Sequence, residues 1–319
     1  MPILPMKTQK LTSKVFRFGG LMIASEIDLP GLPEVATSSF DVSIRIGTPP
    51  LTLLDATEID PECFANDTEY LYSVPKLAIF YLIGGHEIIV KPLDMNRMGE
   101  IRSYLFSIIV SVLFFRRNLL PLHASAVSVG GRVFAFLGKS GAGKSTLAAY
   151  LGERGYPVVA DDLTLLNRTE DGITIVTPCA PWVKLWRDAL DGFGMRIQEE
   201  SQLAGKHSKY LIPLAEAADD PAEPQPLGGL FLLEESPAAD ATIVPMASAA
   251  SIAAMMAFTY PALLVHKLGR DAELFRRCGE VLGTVPVAAF RRPRNLANFD
   301  EQVDVLLAGI HAMPLESKI

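Results

Sequence analysis

Leu122–Leu151 reads LHASAVSVGGRVFAFLGKSGAGKSTLAAYL. Within it, Gly138-Lys139-Ser140-Gly141-Ala142-Gly143-Lys144-Ser145-Thr146 fits G-x-x-x-x-G-K-[ST], the pattern of a phosphate-binding loop. The setting agrees with the motif. Arg132–Leu137 ahead of it has the composition of a buried strand, and Ser145–Gly152 after it reads as a helix. Glycines let backbone N–H groups curl around phosphate oxygens, and the unpaired amides of a helix N-terminus add positive potential there. In such a loop Lys144 bridges β- and γ-phosphate oxygens and the Ser145 hydroxyl holds Mg²⁺. The motif predicts binding of a nucleoside triphosphate, but a phosphate loop alone names no reaction.

Two features flank the loop. Downstream, Tyr156–Ala160 reads as a buried strand that ends in Asp161-Asp162, 17 residues beyond Lys144. Successive side chains of a strand point to opposite faces, so one carboxylate can face a metal while its neighbour faces a second reactant. A pair of solvated turn aspartates, or an N-cap, fits the same letters. Upstream, His123 opens the strand that precedes the loop strand; taken alone, such a histidine is more often a core or surface residue than a ligand.

From Leu122 onward strands and helices alternate, as LHASAVSV, RVFAFLG, the helix from Ser145, YPVVADD and ITIVTP. That alternation predicts an α/β layered architecture. Ahead of it the chain reads as β-rich. Val15–Ile23 and Phe40–Ile46 alternate apolar with polar residues, and Leu77–Ile83 and His86–Val90 flank Gly84-Gly85, a two-residue hairpin signal. Arg102–Phe115 follows as an apolar helix. The expected boundary lies near residue 120, with a β-rich accessory region over 1–120 and the loop-bearing domain over 121–319. Past the aspartates, Ala215–Leu227 is an acidic, proline-rich surface loop, and Gly228-Gly229 opens a strand, LFLLEE. Helices are expected at Ser248–Phe258, Asp271–Leu282 and near Leu296–Ala312, with a strand at Pro286–Phe290.

Composition narrows the function classes. The chain has 319 residues, 49% hydrophobic and 20% charged, which excludes disorder and low-complexity architectures. Its 29 basic and 36 acidic residues leave a formal charge of −7, no electrostatic basis for nucleic acid or an anionic membrane as main partner. Cys63, Cys179 and Cys278 are odd in number, widely spaced and in no CxxC pattern, as expected of reduced thiols. The N-terminus has no apolar core with a cleavage site, and the greasiest run, Ser103–Phe115, has 13 residues where a span needs about 20. Together these predict a cytoplasmic protein.

The ordered set Leu122-His123-Ala124-Ser125-Ala126, GKSGAGKST and VVADD resembles the catalytic domain of HPr kinase/phosphorylase and the nucleotide core of ATP-dependent phosphoenolpyruvate carboxykinase. The clear match runs from Leu122 to Leu166. The resemblance implies an HPr kinase-like P-loop domain with a mixed sheet and flanking helices. It implies that Lys144 and the loop amides hold the phosphates of ATP, that Ser145 and Asp162 coordinate Mg²⁺, and that Asp161 is the general base toward an acceptor serine. His123 sits beside metal and γ-phosphate, its job left open because the two families differ. The departures are specific. Thr146 stands where the HPr enzymes carry an acid, as in the carboxykinases; the signature of phosphorolysis is missing; and neither family's N-terminal region is recognisable. Over the whole chain, "FGGLMIASEIDLPGLP" and "VPVAAFRRPR" are similar to segments of the stand-alone HPr-kinase-like serine kinases of bacterial biosynthetic clusters, including those for lasso peptides. That likeness implies an ATP-dependent serine kinase whose partner is a protein or precursor peptide bearing the acceptor serine. A small-molecule kinase of the same fold and a nucleotide-binding module without transfer are the alternatives.

A second cation near the γ-phosphate is expected from Lys206, His207 and Lys209, or from Arg291, Arg292 and Arg294. PWVKLW, Pro181–Trp186, is a candidate wall of the acceptor groove, although Trp182 and Trp186 stand four apart, a helical spacing that more often buries both.

Overall fold

The computed structural model describes residues 13–179, 182–186, 209–213, 223–294 and 298–313. The chain divides into two compact units. The first contains the described residues up to Leu119 together with Leu263–Arg270, and the second contains the others.

In the first unit, β1 (Lys14–Phe18) and β2 (Leu21–Ser25) are two strands of a hairpin where the alternation over Val15–Ile23 suggested one. Gly19 and Gly20 cause the difference: at φ +56° and +77° they form a tight two-residue turn of the kind that matches strand twist. The unit continues with β3 (Val42–Ile46), β4 (Thr57–Asp60), β5 (Cys63–Ala65), β6 (Glu69–Val74), β7 (Ala78–Ile83) and β8 (Glu87–Pro92). The eight form one sheet in the order β1-β2-β3-β8-β7-β6-β5-β4, with β7 and β8 joined at Gly84-Gly85 as expected.

A continuous helix, α1 (Met95–Arg116), follows. It is longer than the Arg102–Phe115 reading, and its 22 residues are by length and composition enough to cross a membrane. Its apolar side chains pack within the unit: Ile101, Leu105, Ile109, Val112 and Phe114 have no exposed surface. Phe18 meets Phe106 edge-on at 4.9 Å and stacks with Phe114 at 6.1 Å, while Phe80 stacks with Tyr104. Leu105–Ile109 forms a π turn in mid-helix.

The second unit opens with β9 (Leu120–Leu122), β10 (Ala124–Val129) and β11 (Arg132–Leu137), then α2 (Lys144–Glu153), β12 (Val158–Ala160), β13 (Thr164–Arg168) and β14 (Thr174–Thr177). β15 (Trp182–Trp186) and β16 (Lys209–Pro213) pair as a separate antiparallel ribbon. The helix suggested by the spacing of Trp182 and Trp186 is thus overturned: the segment is a strand. After β17 (Gln225–Glu235) and β18 (Thr242–Pro245) come α3 (Ser248–Ala257), α4 (Ala262–Lys267), α5 (Asp271–Leu282), β19 (Val287–Arg292) and α6 (Phe299–Ala312). α4 lies largely within Leu263–Arg270 and so in the first unit.

The large sheet here is mixed. Its order is β12-β10-β11-β17-β14-β13-β9, with β19 beside β17 and β18 beside β19. β17 runs parallel to β11 and β19, and the other pairs are antiparallel. β17 begins three residues earlier than Gly228-Gly229. A Cβ on Gly228 would lie 2.6 Å from the Phe134 ring, so this glycine allows a close strand approach instead of opening a turn. Leu147 and Leu151 of α2 and Val303, Leu306 and Ile310 of α6 pack with Phe134, Phe136, Phe231 and Phe290 in one core. Each such side chain contributes about 1.5–3 kcal/mol of burial. α6 is built for this position: Phe299, Val303, Leu306 and Ile310 recur on one face, and Asp300 and Glu301 sit in the first turn, where the helix dipole favours negative charge. The fold class is α/β with a mixed sheet and flanking helices, preceded by a β-rich region.

Candidate functional site

The phosphate-binding motif occupies the turn between β11 and α2. Gly143 caps the helix in a left-handed conformation, φ +88°, and Lys144 is the first helical residue, 7% exposed. The Lys144 ammonium donates to the carbonyl oxygen of Gly138 at 2.7 Å and lies 3.4 Å from that of Lys139. Its Nζ is also 3.1 Å from Nε2 of His123. An ammonium can only donate, so the hydrogen of this imidazole sits on Nδ1.

Arg292 braces the same loop. It donates from Nη2 to the carbonyl of Ala142 at 3.0 Å and from Nη1 to Gln302 at 3.3 Å, with its guanidinium over the Phe299 ring. Burial lowers its pKa below the usual arginine range. Of the other two arginines expected near the γ-phosphate, Arg291 pairs with Glu234 at 2.8 Å. Arg294, its side chain 70% exposed, reaches within 3.7 Å of where a Cβ on Gly141 would stand, at the lip of the loop. Lys206 and His207 lie outside the described residues, as do the side chains of Lys209, Trp182 and Trp186.

His123 falls between β9 and β10, and Asp161-Asp162 between β12 and β13. LHASAVSV is therefore two strands with a break at the histidine, and the sheet brings that break beside the one at the aspartates. β9 pairs with β13 and β10 with β12, and His123 and the two aspartates lie between these ladders. Both aspartates lie past the end of β12, so strand alternation does not decide where their carboxylates point. Asp162 adopts a left-handed backbone, φ +67°, a conformation aspartate tolerates better than most residues. Asp161, 6% exposed, accepts a hydrogen bond from Ser125 at 2.6 Å. Asp162 has different partners, with Oδ1 3.1 Å from His123 Nδ1 and 3.1 Å from the Tyr260 hydroxyl.

Tyr260 is not legible as a site residue, because it follows α3 in a stretch without a motif. Ser125 belongs to the Leu122–Ala126 motif, but its sequence setting assigns it no role. The Tyr260 hydroxyl is 2.7 Å from His123 Nδ1, and the two rings meet edge to face at 5.0 Å. Burial, with the Asp162 charge next to it, holds the phenol far above its ordinary pKa, so it keeps its hydrogen.

The structure thus places Lys144, His123 and Asp162 in one hydrogen-bonded chain, with Asp161 on the neighbouring residue. Among the described residues there is no group of three or more His, Cys, Asp or Glu side chains arranged for a metal. The Ser145 hydroxyl and Asp162 carboxylate are hard oxygen donors, the type that suits Mg²⁺ when phosphate oxygens and water complete the shell.

No family model matches the chain. A stretch of 103 residues, 31% of this chain, is 36% identical to phosphoenolpyruvate carboxykinase (ATP) of Bacillus velezensis, and it spans only 18% of that protein's length. Among solved structures, the Hpr(Ser) kinase/phosphatase of Coxiella burnetii is similar at a TM-score of 0.35 and 12% identity, over 60% of this chain and 89% of that one.

Proposed function

We propose that this protein is an ATP-dependent phosphotransferase that moves the γ-phosphate to a serine hydroxyl of a protein or precursor peptide. The observation that carries the reading is the chain of contacts from the phosphate-loop lysine through His123 to Asp162, with Lys144 Nζ 3.1 Å from the imidazole and Asp162 Oδ1 3.1 Å from its other nitrogen. In this reading residues 121–319 form the catalytic part and 1–120 an accessory region. The protein acts in the cytoplasm, with neither nucleic acid nor membrane as partner.

The residues divide the work. The amides of Gly138–Thr146 and the Lys144 ammonium hold the phosphates, and Lys144 offsets the charge that grows on the γ-phosphoryl oxygens. Ser145 and Asp162 would hold Mg²⁺, which supplies further neutralisation of that charge. His123 presents Nε2 to Lys144 and so fixes where the ammonium points. Asp161 takes the proton of the acceptor serine as its oxygen attacks phosphorus; the P–O bond to the β-phosphate breaks, and its electron pair leaves with ADP. Ser125, bonded to Asp161 Oδ1, sets the orientation of that carboxylate. Phosphoryl transfer asks for little more than alignment, charge neutralisation and a base.

The test is mass spectrometry of the proteins and peptides encoded beside this gene after incubation with Mg²⁺ and γ-labelled ATP. A phosphoserine is expected with the wild-type chain. Lys144→Ala abolishes nucleotide binding or turnover, and Asp161→Asn binds nucleotide but loses transfer. Full transfer by Asp161→Asn overturns the base assignment. Label found only in small metabolites overturns the polypeptide acceptor, and ATP bound but neither hydrolysed nor transferred over hours overturns the enzymatic reading.

A further inference from the structure

We infer that Tyr260 is a positioning residue of the transfer site, its hydroxyl locking the orientation of His123 and Asp162 and thereby the aim of Lys144. The inference deepens the proposed phosphotransfer and rests on that reading for its functional consequence.

Hydrogen-bond geometry carries it. With Lys144 donating to His123 Nε2, the Nδ1–H group points at Tyr260 Oη, 2.7 Å away, and at Asp162, whose Oδ1 lies at 3.1 Å and backbone oxygen at 3.3 Å. The phenol hydrogen goes to Asp162 Oδ1 at 3.1 Å. One hydroxyl therefore accepts from the histidine and donates to the aspartate, closing a ring of three groups. A buried tyrosine usually needs one partner for its hydroxyl. This one uses both of its capacities, and each is spent on a residue of the phosphate site.

The backbone holds Tyr260 where this can happen. The His123 N–H donates to the Phe258 carbonyl at 2.7 Å, and the Tyr260 N–H donates to that of Pro121 at 2.9 Å. Leu122 and Thr259 form a bridge between these two bonds. The Thr259 hydroxyl ties the segment back to α3 through the Met255 carbonyl at 2.8 Å. The histidine and the tyrosine thus come from two short stretches paired like strands. Their relative placement does not depend on side-chain packing alone.

The test reads the imidazole directly. In the full chain carrying ¹⁵N-labelled histidine, the nitrogen shifts of His123 are expected to show hydrogen on Nδ1 and none on Nε2. Tyr260→Phe keeps the ring and removes the hydroxyl. It is expected to mix the two tautomers and to lower kcat about 10- to 100-fold, with the Kd for Mg²⁺-ATP within about twofold. If that variant does not fold, 3-fluorotyrosine incorporated at position 260 keeps ring and hydroxyl but changes the strength of the bond, and the His123 Nδ1 resonance is expected to move. Unmoved His123 resonances in the variants that fold overturn the inference. So does an equal loss of kcat and nucleotide affinity with the tautomer intact, the pattern of general loosening. Because the nitrogen shifts are read without turnover, a chain that transfers no phosphate refutes the proposed function without touching this result.

Discussion

Gly143→Ala separates two effects that both act on the phosphate loop. Gly143 sits at φ +88°, where an L-residue pays about 1–2 kcal/mol relative to glycine. A Cβ built there would also stand 2.4 Å from Arg292 Nη2, the same nitrogen that donates to Ala142 at 3.0 Å. Arg292 cannot swing aside cheaply: it is 8% exposed, bonded to Gln302 through Nη1 and stacked on Phe299. The methyl must therefore dislodge a charge-assisted hydrogen bond, at about 1.5–3 kcal/mol. The single substitution is expected to cost about 2.5–5 kcal/mol, the sum of the strain and the lost bond. In an Arg292→Ala background the bond is already gone, and only the strain of about 1–2 kcal/mol is left. Urea denaturation of the four proteins of this double-mutant cycle gives the coupling, expected at about 1.5–3 kcal/mol. Additivity within about 0.5 kcal/mol would refute the view that Arg292 braces the loop through Ala142.

Three further outcomes follow from burial and exposure. Phe114→Ala, at a side chain with no exposed surface, is expected to cost about 3–5 kcal/mol in urea unfolding; a loss below about 1 kcal/mol refutes the packing of α1 within its unit. Arg154→Ala removes ion pairs to Asp300 and Asp304, carboxylates about two-thirds exposed, and is expected to cost no more than about 1 kcal/mol; a loss above about 2 kcal/mol in the same assay contradicts that. Cys63, Cys179 and Cys278 are buried, and burial pushes all three thiols up, Cys278 to about 11. Ellman's reagent at neutral pH is expected to label none of them rapidly in the folded chain and all three in denaturant, and a rapid native reaction refutes their burial. The Cys278 shift also fixes a sign: the unfolded thiol loses its proton first, so its contribution to stability falls as pH rises from about 9 through about 11.

What could be read from the letters was what neighbouring residues decide. The phosphate loop, the hairpin at Gly84-Gly85 and the amphipathic helix α6 each follow from spacing over a dozen residues or fewer. The hairpin at Gly19-Gly20 is local too, and was missed because its two strands continue one alternating pattern through the turn. Other features depended on distant partners. Tyr260 reaches His123 across 137 positions of sequence, and Arg292 reaches Ala142 across 150. Neither pairing has a periodicity or a motif to announce it. Arg292 shows the cost of reading charge alone: an arginine close to a phosphate loop suggests a phosphate ligand, and its burial shows a brace.

The break in LHASAVSV explains why the site is where it is. Leu122 pairs with Thr164 on one side of the break, and Ala126 pairs with Ala160 on the other. The two broken strands are neighbours, so the residues skipped in each, His123 and Asp161-Asp162, are brought together without leaving the sheet. A break exposes backbone groups that a continuous ladder would satisfy, and burying them unpaired would be costly. Here they are met from outside the ladder: the His123 N–H by Phe258, and the Ala124 carbonyl by the Thr164 hydroxyl at 2.9 Å. The Phe258 bond places Tyr260 two residues further on, against the imidazole. The repair of a broken strand and the assembly of the Lys144–His123–Asp162 chain are thus one structural event. A continuous ladder through residue 123 would remove the reason for the 258–260 segment to dock there, and with it the hydroxyl that orients the histidine.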